Sequence, residues 1–338
     1  MKEGIVKHQV AVFDSKPYDI EALQAANSRY HFDLNFFEPT LTQQTAPLAQ
    51  GFPVLCLFIH DEVNAQLAET LSTMGVQLLA LRSNGYNHID LGAAAGKFKV
   101  VRVPKYSPYS VAEYTLGLIL SMYRKLHFAY MRTKTNNFSL KGLEGKEVHG
   151  KTAGVIGTGQ IGAIVVRLLS SFGMRILVHD VVRNDQLVHD TGCEYTDLPT
   201  LYKESDIITL HCPLLPTNTH CINADAIAQM KNGVLIVNTS RGGLVDTSAL
   251  IEGLKSKKVG GAALDVYEEE DRFFYEDLSG SFIDDDLLAR LMTFPNVFVS
   301  AHGAFFTQEA VEEIAETTLA NIQEFFEGKP LHNEVIRR

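Results

Sequence analysis

Apolar positions along this chain alternate between two patterns. Short, nearly continuous β-branched runs are separated by stretches in which apolar residues recur every three or four positions. HQVAVFD (8–14), DLNFFE (33–38), PVLCLFI (53–59), VQLLALRS (76–83) and VVRVP (100–104) predict strands. Helical periodicity lies between them at 18–30, 64–75 and 88–99. A second series begins at TAGVIGTG (152–159). It continues through RILVHD (175–180), IITLHCP (207–213), VLIVNTS (234–240), GGAALDV (260–266) and NVFVSAH (296–302). Strands apolar on both faces, spaced by helices, are the pattern of doubly wound parallel sheets. The fold class is therefore α/β with two such units. Residues 110–136, between the two series, read as one long helix, apolar early and basic late. Residues 307–328 form another, closed by Gly328 with Pro330 beyond.

The chain has 338 residues, which at roughly 150 per domain also suggests two domains. A net charge of −10 leaves no basic excess for nucleic-acid backbones or anionic membranes, so neither is expected as a partner. No apolar run approaches the roughly 18 residues of a membrane helix. The start, MKEGIVKHQVAVFD, lacks the apolar core of a secretory signal, so a cytoplasmic protein is expected. Cys56, Cys193, Cys212 and Cys221 have no CxxC spacing. They read as reduced thiols, with no metal site expected.

TAGVIGTGQIG places Gly157, Gly159 and Gly162 in GxGxxG spacing between a strand and the helical run AIVVRLLSSFG. The first glycine permits the tight turn, the second lets backbone approach a diphosphate, and the third allows close helix–strand packing. Asp180 follows Gly162 by eighteen residues at the end of the next strand, where it can accept from an adenosine ribose. That favours NAD over NADP, although Arg183 nearby leaves some tolerance of NADP. Dinucleotides lie at strand carboxyl ends, so the segments leaving later strands share the same region. Gln160, Ile161, His211, Cys212, Pro213, Thr239 and Ser240 are accordingly assigned to cofactor binding.

Ketone reduction by NADH needs a proton donor, a group that keeps the donor charged, and a cation to hold a carboxylate. Histidine titrates near neutrality, a carboxylate stabilises imidazolium, and arginine binds carboxylates through two parallel hydrogen bonds. His302, Glu270 and Arg241 each follow a predicted strand in the second series. Singly each has a dull explanation, since the chain has 12 histidines and Glu270 sits in an acidic run. Their joint placement is the signal.

At this point the chain resembles the D-isomer-specific 2-hydroxyacid dehydrogenases nearly end to end. The resemblance rests on LRSNGYNHIDL (81–91), VPKYSPYSVAEYTLGLIL (103–120), KTAGVIGTGQIG (151–162) and SDIITLHCPLLPTNTH (205–220). It continues through MKNGVLIVNTSRGGLVD (230–246), DVYEEE (265–270) and NVFVSAHGAFFTQEA (296–310). It implies His302 as acid/base, Glu270 as its partner and Arg241 as the substrate anchor. Glu270 is preferred to Glu268 and Glu269 because the family spaces this glutamate five residues after an aspartate, here Asp265. Asp265 itself would contact the nicotinamide side of the cofactor. Asn84 and Gly85 would cradle the substrate carboxylate, with Tyr106 near the substrate and Phe305 crowding its methyl side.

The resemblance further implies a Rossmann NAD-binding domain, 105–303, inserted into a flavodoxin-like substrate domain, 1–104 and 304–338. Members pair into homodimers and in some cases homotetramers. The long segment DRFFYEDLSGSFIDDDLLARL after Glu270 is similar to the family's D-lactate branch, which implies reversible reduction of pyruvate to D-lactate. Reduction of a bulkier 2-oxo acid or of hydroxypyruvate remains open. So does a non-catalytic NAD-sensing role like that of the superfamily's corepressors.

Overall fold

The computed structural model describes residues 8–336, and the chain falls into two compact units. The segment through Lys7, on which the expected lack of a leader partly rests, lies outside the described residues. The chain leaves the first unit between Ser107 and Pro108 and returns to it between Phe305 and Phe306. The sequence places these crossings after residues 104 and 303.

The first unit is built on β1 (Gln9–Val12), β2 (Asp33–Phe36), β3 (Val54–Leu57), β4 (Leu78–Leu81) and β5 (Lys99–Val101), all parallel in the order β2-β1-β3-β4-β5. Side chains alternate faces along each strand. Val10 and Val12 therefore join one apolar cluster with Leu23, Leu319 and Ile322 from the helices Pro17–Asn27 and Gln308–Phe326. Ala11 and Phe13 join another with Leu67 and Leu71 from the helix Ala65–Thr73. The open edge at β5 is covered by the end of the chain, where Val335 N donates to Val100 O at 2.8 Å.

The second unit holds β6 (Thr152–Ile156), β7 (Arg175–His179), β8 (Glu194–Tyr195), β9 (Ile207–Leu210), β10 (Val234–Asn238), β11 (Val259–Leu264) and β12 (Val297–Val299). Their order is β12-β11-β10-β9-β6-β7-β8, again all parallel. Strand order reverses between β6 and β9, the switch point at which dinucleotides bind in such sheets.

Two elements differ from the sequence reading. The helix expected over 110–136 is broken into Pro108–Arg124 and Leu126–Lys134 by Lys125, which is left-handed at φ +52°. Packing explains the break. Val111, Leu118, Ile119 and Tyr123 of the first piece are buried, whereas the second piece has no fully buried residue and packs mainly through His127, whose ring meets that of Phe298 edge-on at 5.4 Å. The helix expected over 88–99 shrinks to Leu91–Ala94, because Gly96 turns the chain at φ +75°. Among the described residues no helix is long and apolar enough to cross a membrane.

Candidate active site

β6 ends in a turn that glycine alone can make. Gly157 has φ +95°, and a Cβ there would lie 2.5 Å from Cys212 N, at the exit of β9. A Cβ on Gly162 would lie 1.9 Å from Gly157 O, so the helix Gln160–Ser171 seats directly on the turn. Gly159 is different: a Cβ there would meet no protein atom within 4 Å, and its φ of −63° suits any residue. This is open space over backbone amides. Gln160, Ile161 and Gly162 precede the first helical hydrogen bond, from Ala163 N to Gly159 O, so their N–H groups are available to an anion.

Asp180 stands at the end of β7, the neighbouring strand. It accepts from Thr158 N at 2.5 Å, Thr158 Oγ1 at 3.0 Å and Val182 N at 3.0 Å. Burial alone would raise its pKa, but these donors outweigh it and hold the carboxyl below its ordinary value. Three donors leave about one of its four lone-pair positions for a ribose hydroxyl. The turn, the free amides and this carboxylate fit the diphosphate and ribose of NAD. We therefore expect Gly159→Ala to change folding stability by less than about 1 kcal/mol while weakening NADH binding about tenfold. Thermal unfolding and fluorescence titration read the two effects separately.

Other residues assigned to the cofactor hold the protein together with their side chains. Thr239 Oγ1 lies 2.8 Å from Thr115 Oγ1, and Ser240 Oγ donates to Cys212 O at 2.6 Å. His211 Nε2 sits 2.9 Å from Thr209 Oγ1, and burial pushes its pKa down to about 3, so the ring is neutral. Cys212 Sγ lies 3.7 Å from Asn218 Nδ2, while Pro213 is exposed. Asp265, placed by the resemblance beside nicotinamide, is 1% exposed. Its carboxylate accepts from Ser300 Oγ and Gly303 N at 2.8 Å and Ala304 N at 3.0 Å. It is the post on which the loop after β12 is hung.

That loop carries His302, which is left-handed at φ +54° directly after Ala301 at φ +43°. Two such residues in succession cost about 1–3 kcal/mol each unless their surroundings fix them. Here the fixing is visible. His302 N donates to Asp265 O at 2.6 Å, and Tyr275 Oη donates to His302 O at 3.1 Å. The ring's Nδ1 lies 2.7 Å from Glu270 Oε1, while Tyr267 N donates to Glu270 Oε2 at 2.7 Å. His302 Nε2 makes no hydrogen bond among the described residues, so its proton or lone pair is available.

Arg241 sits half-buried in the turn after β10. Its guanidinium donates to Ser240 O at 2.7 Å and forms no salt bridge among the described residues. An uncompensated guanidinium, an imidazole with one free nitrogen and a carboxylate behind it thus stand on loops at the carboxyl ends of β10, β11 and β12. The chemistry this set can perform is protonation or deprotonation of an oxygen next to a bound carboxylate.

The family model for the D-isomer specific 2-hydroxyacid dehydrogenase NAD-binding domain matches residues 116–304. D-lactate dehydrogenase of Escherichia coli is 46% identical over 97% of this chain and 100% of its own length. The chain belongs to the D-isomer-specific 2-hydroxyacid dehydrogenases. Among solved structures, the apo form of the Escherichia coli D-lactate dehydrogenase aligns with TM-score 0.89 at 45% identity, covering 97% of this chain and 100% of that one. The pyruvate reductase of Chlamydomonas reinhardtii aligns with TM-score 0.92 at 39% identity, covering 97% and 98%. The protein is thus an NAD-dependent oxidoreductase acting on small 2-hydroxy or 2-oxo acids.

In the first unit of this dehydrogenase, Asn84 and Gly85 lie on the loop leaving β4. Arg102 Nη1 donates to both Asn84 O and Asn84 Oδ1 at 2.8 Å, and Ser83 Oγ donates to Gly85 O at 2.7 Å. Tyr106 is half-buried just before the unit ends. In the second unit Phe305 is half-buried with its ring 6.5 Å from that of Tyr275.

Three supports were not read from the sequence. Tyr267 Oη donates to Asp285 at 2.9 Å and 3.0 Å, bracing the far end of the loop after Glu270. Tyr275 reaches back to His302. Arg82 is 2% exposed and donates to Phe13 O at 3.1 Å and Asp14 O at 3.0 Å, tying β4 to the end of β1. Only Asp285 carries a local signal, an N-cap before the apolar run LLARL.

Proposed function

We propose that this dehydrogenase is a D-lactate dehydrogenase that reduces pyruvate to D-lactate. The observation that carries the reading is the 2.7 Å His302–Glu270 pair with Nε2 free, on the same set of strand ends as an arginine with no acidic partner. The similarity to a D-lactate dehydrogenase and a pyruvate reductase supports the same substrate. Arg241 takes the 2-oxo acid through its carboxylate and polarises the carbonyl oxygen. Bound NADH supplies the hydride. His302 gives its Nε2 proton to the carbonyl oxygen, and Glu270 holds the ring and stabilises its charged form. Oxidation runs these roles backwards. Phe305 limits the substrate side chain, favouring methyl. Asn84, Gly85 and Tyr106 complete substrate binding in this reading, and Asp180 selects NAD.

NADH oxidation over a panel of 2-oxo acids, with chiral analysis of product, tests it. Pyruvate is expected as the preferred substrate and D-lactate as the sole product. Preference for a larger acid or hydroxypyruvate would reassign the substrate, and absence of turnover would favour the NAD-sensing role.

The reading extends to a cytoplasmic homodimer joined through the cofactor unit. Its support is a run of exposed apolar side chains on and after the helix Leu126–Lys134: Tyr130 at 61%, Met131 at 63%, Phe138 at 74% and Leu140 at 81%. A monomer rarely leaves such a contiguous surface uncovered. Light scattering should give twice the chain mass for the native protein and a smaller value for Leu140→Glu.

A further inference from the structure

The acidic run Glu268–Glu270 holds two histidines, and only one belongs to the proposed chemistry. Glu270 turns to His302. Glu268 turns the other way, with Oε1 2.6 Å from His220 Nε2 and Oε2 accepting from Thr247 N at 2.9 Å. His220 comes from the segment after β9 and is left-handed at φ +53°. Its backbone N donates to Gly243 O at 2.8 Å, two residues beyond Arg241. One residue is therefore bonded to both halves of the machinery, by backbone to the Arg241 turn and by imidazole to the Glu270 loop.

The two loops press together at the same place. A Cβ on Gly242 would lie 2.1 Å from Tyr267 C and O and 2.5 Å from Glu268 N. No side chain fits between them, so their spacing is set by backbone contact and by whatever clamps it. The neighbouring bonds continue the clamp: Ile222 N donates to Leu244 O and Asp246 N to Ile222 O, each at 3.0 Å.

We propose that His220 and Glu268 are positioning residues, a strut that sets the distance between the substrate anchor on the Arg241 turn and the proton donor held by the Glu270 loop. The inference rests on the roles proposed above for Arg241, Glu270 and His302. Neither His220 nor Glu268 touches substrate. Their loss lets the Arg241 turn drift relative to His302, and a substrate gripped at one end and protonated at the other registers that drift first. Displacements of an ångström can cost far more in rate than in stability.

The test uses the full-length protein with NADH and pyruvate. His220→Ala and Glu268→Ala are each expected to raise the pyruvate KM about tenfold, with NADH affinity unchanged. The double variant should be no worse than either single one, because the two act as a unit. His220→Gln, which keeps a donor toward Glu268, should recover most of the loss even where alanine lowers Tm. An unchanged KM in folded His220→Ala overturns the proposal, as do additive effects of the two alanines. So does a fall in Tm alone. Arg241→Gln distinguishes the two levels. If it leaves KM unaltered, the reading of the site fails and the strut with it; if it raises KM while the strut variants do not, only the strut fails.

Discussion

His302→Ala is expected to lower kcat for pyruvate reduction by about 10²–10⁴-fold, the usual contribution of a positioned acid. NADH affinity should be unchanged, because the glycine turn after β6 and Asp180 do not contact this loop through any observed bond. Alanine brings a second effect that must be separated from the first. Position 302 is left-handed, and alanine is poorly suited to that conformation. His302→Asn is the cleaner variant, since asparagine tolerates left-handed backbone and cannot act as the acid near neutral pH. Stopped-flow measurement of NADH oxidation under saturating pyruvate reads the chemical step directly. Turnover within a few-fold of wild type in the asparagine variant would remove His302 from the mechanism.

The partner residue should give a smaller and different loss. Glu270→Gln keeps one acceptor oxygen where the native carboxylate uses two, one toward His302 Nδ1 and one toward Tyr267 N. What it loses is the negative charge behind the imidazolium. The kcat for pyruvate reduction should fall about tenfold, less than for His302→Asn, with NADH affinity unchanged.

How much of this was legible from residues alone follows from which interactions are local. The glycine spacing after β6 could be read because Gly157 and Gly162 answer to contacts at the adjacent strand exit and five residues away, while Gly159 faces open space. Glu270 is separated from Glu268 only by the family's spacing from Asp265, which the resemblance supplies; in the structure Glu268 meets His220 and Glu270 meets His302. The break at Lys125 could not be read. Neither proline nor glycine marks it, and the two halves differ in packing, the first deep in the core and the second only half-buried at its start. The structural work of Asp265 could not be read for a related reason. The resemblance places it beside the cofactor, and its carboxylate also accepts from the loop that it positions, 35 to 39 residues away. Tyr275 and Arg82 act through backbone carbonyls, and a carbonyl leaves no mark in sequence.

Arg241→Gln is expected to reduce kcat/KM for pyruvate by roughly 30- to 5,000-fold, the range for removing one half of a hydrogen-bonded charge pair. Among the described residues the native guanidinium has no carboxylate partner, so it meets the substrate with its charge uncancelled. Glutamine offers one donor where arginine offers a planar fork, and it brings no charge. Both KM and kcat should suffer. Ground-state binding loses the ion pair, and the reacting carbonyl loses its polarising cation at the moment negative charge develops on oxygen. Arg241→Lys divides the two contributions. It restores the charge without the fork, so it should recover part of the affinity but little of the orientation. Oxamate, which mimics a 2-oxo acid without accepting hydride, gives the binding component alone. If oxamate binds the glutamine variant as tightly as the native enzyme, Arg241 is not the anchor.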